Sequence, residues 1–178
     1  MRMTAGKKRH LIFDIVVILV LVAIDQFTKH LAVLYLKDQD SIRIIPGVLE
    51  LTFLKNNGAA FGILQDQKVF FIMIAVLILV VILYVLIRLP EEKHFLSMEL
   101  LLLPIAAGAM GNMIDRIRHD HVVDFISFVI INFPIFNVAD IYITVSTFIF
   151  VILFLFHYQE KDFNFLTFRQ QKKYREFK

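Results

Sequence analysis

Four stretches of this chain stay apolar for the thickness of a bilayer, and they limit its fold more than any other feature. They run from about Leu11 to Leu36, Val69 to Leu89, Leu96 to Arg116, and Val138 to Tyr158. A helix needs roughly 20 apolar residues to cross a hydrocarbon core. Backbone inside lipid must also satisfy its own hydrogen bonds, so runs of this length span as helices. The expected fold is membrane all-α with four transmembrane helices and a small β element. Composition agrees, since 58% of the 178 residues are hydrophobic against about 45–50% in an average soluble domain.

Charge gives the helices a direction. Twelve of the nineteen Lys and Arg residues lie at positions 1–10, 88–95 and 159–178, and few lie in the two other loops. The positive-inside rule then puts both termini in the cytoplasm, with helices 1 and 3 running outward. A basic start before an apolar run has the outline of a secretion signal. Here the run continues past Asp25 to Leu36 without a small-residue cleavage site, and three more spans follow, so it reads as a retained helix.

Between the first two spans, Leu49, Leu51 and Phe53 alternate with Glu50 and Thr52, the period of a half-buried strand. Pro46-Gly47 supplies a turn. A β-cradle over about 41–66 is expected on the outer membrane surface, with Gly58 and Gly62 letting the backbone approach another group. The other outer loop, about 117–135, is rich in Ile, Phe and Val and reads as an interfacial segment. One domain is expected over 1–160, followed by a basic cytoplasmic tail at 161–178 that suits anionic lipid or plain solvent.

Against this apolar background the carboxylates need a reason. An acid at the centre of a bilayer helix costs ~2.5–3.5 kcal/mol, so it marks function by default. Asp115 falls at the outer end of helix 3, Asp140 at the outer start of helix 4, and Asp124 in the loop between them. If two such carboxylates meet, like charges cannot both ionise cheaply and the pair holds one proton. One can then activate water while the other protonates the carbonyl or the leaving amine.

Neighbouring polar residues have two readings each. Asn112, Asp115 and Arg116 share a helix face; Asn112 and Arg116 either hold a substrate backbone, or Arg116 complements the helix dipole. Asn137, three residues before Asp140, suits an N-cap, which is compatible with orienting substrate. Asp25 shares a face with Thr28 and Lys29 and can pair with Lys29 in a structural role, whereas Asp14 lies close enough to the cytoplasm to be solvated. His119 and His121 could ligate metal with Asp115 or Asp124, but without an HExxH pattern the ordinary-surface reading is preferred.

Several classes drop out. With no cysteine there is no disulfide, thiolate nucleophile or Cys-ligated metal. There is no GxSxG, and Ser127 has no evident base partner. Basic residues gather at the chain ends rather than in a patch, so nucleic acid is not an expected partner. What remains is a hydrolase using paired aspartates, a proton-coupled transporter using Asp14, Asp25 and Asp140, a metal hydrolase using His119 and His121, or a non-enzymatic assembly factor. Four spans without a repeat or broken helices argue against transport.

Five blocks, DQFTK at 25–29, NNGAAFG at 56–62, AGAMGNMIDR at 107–116, VVDF at 122–125 and FNVAD at 136–140, occur in the order found in the lipoprotein signal peptidases. The chain resembles that family, signal peptidase II, over nearly its whole length. The resemblance implies an aspartyl endopeptidase without cofactor or metal in the bacterial cell membrane, its active site at the extracytoplasmic face. It would cut prolipoproteins before a diacylglyceryl-modified cysteine, in contact with membrane lipid, and bind globomycin-type inhibitors. Carried over, Asp124 and Asp140 match the catalytic pair, and Asn56, Gly58, Asn112, Arg116 and Asn137 match substrate-binding positions. Asp25, Lys29 and Asp115 match supporting positions, with Asp115 the rival for a catalytic place. Ala107 and Ile141-Tyr142 depart from the family pattern, which bears on packing near Asp140.

Overall fold

A computed structural model describes residues 4–58, 67–131 and 133–167. Its four long helices are α1 (Ala5–Leu36), α2 (Lys68–Arg88), α3 (Leu96–His119) and α4 (Val138–Phe156). All four are long and apolar enough to cross a membrane. At ~1.5 Å per residue, the 32 residues of α1 exceed the ~30 Å hydrocarbon core, so its ends reach past the bilayer. Thr4 caps its start by accepting a hydrogen bond from the Lys7 N–H.

α3 is the central helix and packs against each of the other three. Its small residues make this possible. A Cβ on Gly108 would stand 2.5 Å from the Ala139 carbonyl and 2.7 Å from Ile143, so only glycine lets α3 and α4 approach this closely. Ala106, Ala107 and Ala109 extend the close-packed face and are buried. Pro104 lies inside α3 without ending it.

At the end of the bundle formed by the carboxyl ends of α1 and α3 and the amino ends of α2 and α4 sits a three-stranded antiparallel sheet. It comprises β1 (Ile42–Ile45), β2 (Leu49–Asn56) and β3 (Val122–Phe128), in the order β1-β2-β3. Pro46 and Gly47 make the expected turn, with Gly47 at φ +72°, a left-handed conformation that favours glycine.

The third strand corrects the sequence reading, which confined the sheet to 41–66 and made 117–135 an interfacial loop. β2 offers a second edge of backbone N–H and C=O groups, and VVDFISF satisfies them by pairing Leu49 with Phe128 through to Asn56 with Val122. One extra β2 residue between Leu51 and Leu54 bulges the ladder. Residues 59–66 of the expected cradle, with Gly62, lie outside the described residues. α3 also runs three residues beyond Arg116, ending where Asp120 takes a left-handed conformation at φ 66°.

At the opposite end, the part of the tail that is described is docked rather than loose. A 3₁₀ turn at Glu160–Leu166 is held by the Arg88 Nε, which donates to the Phe165 carbonyl at 2.9 Å. Phe163 and Phe165 pack on the core there, while 168–178 lie outside the described residues. Asp14, expected to be solvated, is buried, because α1 presses this face against Glu99 of α3. The α3–α4 contact gives a direct test: Gly108→Ala should lower stability by about 1–3 kcal/mol, read as a reduced melting temperature in detergent.

Candidate active site

Beneath the sheet, α1 and α3 are joined by a buried polar cluster. The Lys29 ammonium, 3% exposed, lies 3.0 Å from Asp25 Oδ2 and 3.0 Å from Asp115 Oδ2. It donates to Asn112 Oδ1 at 2.9 Å. Gln26 Nε2 donates to Asp115 Oδ1 at 2.8 Å and to Asp25 Oδ2 at 3.2 Å. Spacing produces this arrangement: Asp25 and Lys29 stand four residues apart on α1 and Asn112 and Asp115 three apart on α3, so each helix turns its polar residues toward the other. A Cβ on Gly111 would overlap Asp25 Oδ2, so the glycine admits the carboxylate.

From this cluster, hydrogen bonds lead outward to two more carboxylates. Asp25 Oδ1 accepts from the Ala139 N–H at 3.0 Å, and Asp115 Oδ2 accepts from the Val123 N–H at 3.2 Å. These are the residues immediately before Asp140 and Asp124. Asn112 Nδ2 donates to Asp140 Oδ1 at 2.8 Å.

Asn137 joins the two carboxylates. Its side-chain oxygen accepts from the Asp140 N–H at 3.1 Å, while its own N–H donates to Asp140 Oδ2 at 3.1 Å, a reciprocal capping box at the start of α4. Its Nδ2 donates to Asp124 Oδ1 at 2.6 Å. Asn56 Nδ2 donates to the other Asp124 oxygen at 2.7 Å. Each of the four carboxylate oxygens thus accepts one protein donor and retains a lone pair. The chain between the two acids is short-circuited by an Ile126–Phe136 bridge, in which the Phe136 N–H donates to the Ile126 carbonyl at 3.0 Å.

Electrostatics set Asp124 apart from ordinary surface acids. Asp124 is 1% exposed. Burial, reinforced by the Asp140 charge, pushes its pKa up to about 6 against the pull of Asn56, Asn137 and Lys29. Both carboxylates line a cavity of about 660 Å³. Arg116 lies on its wall, donating to the Gly58 carbonyl at 3.0 Å with its guanidinium 4.5 Å from the Phe71 ring centre. Apolar groups make most of the rest: Leu49, Ile126, Phe128, Phe133 and Phe136 from the sheet side, and Ile141 and Val145 from α4, which also adds the hydroxyl-bearing Thr144.

The structure therefore brings together Asn56, Gly58, Asn112, Arg116, Asp124 and Asp140 around one cavity, with Asn137 between the acids and Asp25, Lys29 and Asp115 directly behind. Asp115 is committed to Lys29, Gln26 and the Val123 N–H and does not line the cavity. His119 and His121 stand with ring centres 6.1 Å apart. Among the described residues, no three His, Cys, Asp or Glu converge as a metal cage. Sequence reasoning missed Gln26, Phe71 and Thr144. Gln26 carried a signal, since it adjoins Asp25 in a membrane-length run. Phe71 and Thr144 carried none, because an apolar span has many residues like them.

A family model described as Signal peptidase (SPase) II matches residues 17–156. A lipoprotein signal peptidase of Streptococcus thermophilus is 41% identical over 138 residues, which are 78% of this chain and 89% of that protein. One from Brevibacillus brevis is 46% identical over 127 residues, 71% of this chain and 84% of the relative. A solved bacterial membrane enzyme superposes with a TM-score of 0.73 at 37% identity, covering 80% of this chain and 87% of the other. A second gives 0.71 at 36%, with 82% and 94% covered.

The Asn137 geometry generates a prediction. Asn137→Ala removes a cap, worth about 0.5–2 kcal/mol, and also the link between the acids. Melting should therefore show a modest loss of stability, while activity drops by roughly 100-fold.

Proposed function

The chain belongs to the signal peptidase II family, and from that premise we propose that it removes signal peptides from prolipoproteins as an aspartyl endopeptidase, with Asp124 and Asp140 as its catalytic pair. The observation that carries this reading is the convergence of these two acids on one cavity, bridged by Asn137. The bond cut is the one before a diacylglyceryl-modified cysteine.

With one proton between the carboxylates, the chemistry balances. The ionised member takes a proton from a water molecule as the water oxygen adds to the scissile carbonyl. The protonated member gives its proton to the carbonyl oxygen, forming a tetrahedral diol. Collapse of the diol breaks the C–N bond: the amine nitrogen receives the proton taken from water, while the other carboxylate recovers a proton from a diol hydroxyl as the carboxylic acid forms, so one proton again remains on the pair. The raised pKa of Asp124 suits it to the protonated role in the resting enzyme, although the titration belongs to the pair. Asn56, Gly58, Asn112, Arg116 and Asn137 bind and orient the substrate backbone. Neither metal nor organic cofactor enters any step.

Cavity walls fit the substrate class. Phe71 on α2 and Ile141, Thr144 and Val145 on α4 flank it, and Ile141 and Val145 also face outward where lipid would lie. The apolar signal helix and acyl chains of the precursor enter there from the bilayer. A globomycin-type inhibitor would occupy the same cavity. The concentration of basic residues near the termini favours a bacterial cell-membrane orientation with both termini cytoplasmic and the site on the extracytoplasmic side. Residues 1–160 act as one peptidase domain, and 161–178 as its basic extension.

The test is cleavage of a diacylglyceryl-modified prolipoprotein, and of its unmodified form, by purified protein in mild detergent. Only the modified form should be cut, chelator should have no effect, and Asp124→Asn or Asp140→Asn should each lower kcat by about 10³-fold or more with the fold retained. Efficient cleavage by Asp124→Asn would overturn its catalytic role. Because the singly protonated pair is the active form, and Asp124 loses its proton near pH 6, kcat/KM should decline as pH rises through about 6. A rise through that range would overturn the assignment of Asp124 as proton donor.

A further inference from the structure

Resting on the peptidase reading above, we propose that Lys29, which bonds to neither catalytic aspartate, is a positioning residue for the reaction. It fixes the face that the Asn112 amide turns to Asp140, and it supplies a buried positive charge behind the dyad.

The first part follows from hydrogen-bond accounting. An asparagine amide has nearly the same shape either way round, and its two ends differ only in polarity. Asn112 Oδ1 accepts from Lys29 Nζ at 2.9 Å and from Asn137 Nδ2 at 3.2 Å, so the oxygen is engaged by two donors. Its Nδ2 is then the end left to meet Asp140 Oδ1, at 2.8 Å. Without the ammonium the oxygen keeps only the longer Asn137 contact, and the amide is held less firmly in the orientation that turns its Nδ2 to Asp140.

The second part follows from the charge inventory. Neutralising Lys29 requires one acid, yet two are present, Asp25 and Asp115, each 3.0 Å away. Each acid also holds the backbone N–H one residue ahead of a catalytic aspartate, Ala139 before Asp140 and Val123 before Asp124. The cluster thus grips both supporting segments while keeping a cation among them. Among the described residues, the charged groups near the dyad are Lys29 from α1, with its partner Asp25, and Asp115 and Arg116 from α3; β2 contributes the neutral Asn56. Lys29 pulls Asp124 downward in pKa, against burial and Asp140.

The experiment is the pH profile of kcat/KM on the lipid-modified precursor for three proteins: the wild type, Lys29→Met and Asp25→Asn. Removing the cation should lower kcat about 10–100-fold with a much smaller change in KM. It should also move the alkaline limb upward by about half a pH unit, because an anionic dyad loses a favourable charge. Asp25→Asn keeps an oxygen for the Ala139 N–H and leaves Lys29 paired with Asp115. It removes a negative charge and should move the limb the other way. Should Lys29→Met fail to fold, with two buried acids left unpaired, Lys29→Gln, which removes the charge but leaves an amide that can donate to Asp25 and Asp115, is read in its place, and its upward shift decides the matter. An alkaline limb at the wild-type pH in every variant that folds and cleaves overturns the role for Lys29, whereas absence of cleavage by the folded wild type overturns the peptidase reading on which it rests.

Discussion

One ammonium group with three acceptors is the fixed point of the sheet end of this bundle. Lys29 binds Asp25, Asp115 and Asn112, and through them α1 is tied to α3, to the first turn of α4 and to β3. An ion pair this deep is poor evidence of net stability, because desolvation costs as much as attraction returns. Its value lies in geometry. Taking away one partner leaves an uncompensated charge, a loss of about 3–5 kcal/mol in buried pairs, so alternative packings that separate the three groups are strongly disfavoured. The backbone N–H groups of Ala139 and Val123 inherit that precision.

On the proposed reading, structural and chemical roles coincide at Asp124 and Asp140 instead of competing. Asn137 is the N-cap of α4 and also the donor to Asp124; Asp140 completes the capping box and also faces the cavity. A helix start is a well-defined local geometry, so a carboxylate at its third position is aimed by the backbone rather than by packing alone. Asp124, by contrast, is aimed by a strand and by two asparagine amides. Two like residues thus stand in unlike surroundings, the condition under which paired acids divide the acid and base roles.

Much of this was legible in the sequence, for reasons that also explain the rest. The helices announced themselves by length and hydropathy, and all four lie within a few residues of expectation except at the amino end of α1, which begins at Ala5. The turn at Pro46-Gly47 and the alternation in β2 are local signals and were readable. β3 was not assigned, because seven residues rich in Val, Phe and Ile suit an interfacial loop as well as a strand until a pairing edge is known. The burial of Asp14 was illegible for the same reason: depth along a helix was known, but not which neighbour covers it. Among site residues, the acids and asparagines stood out against an apolar background, whereas Phe71 acquires meaning only from the Arg116 guanidinium above it.

The most apolar helix is among the least buried and the least apolar is the most buried, which ties the site to the lipid. α2 has the highest mean hydropathy, 3.5, and only 11% of that window is buried; α3 has the lowest, 1.4, with 50% buried. In water the ranking would be reversed, but in a bilayer the polar helix is the one that must be enclosed. α3 carries Asn112, Asp115 and Arg116, so the other helices and the sheet gather around it. They need not close completely, since apolar flanks can face lipid at no cost. α2 and α4 scarcely touch each other, and Phe71 and Val145 line the space between them beside the dyad. On the proposed reading, the same rule that encloses the catalytic residues leaves open the side from which an apolar signal helix, bearing acyl chains, can reach them without leaving the membrane.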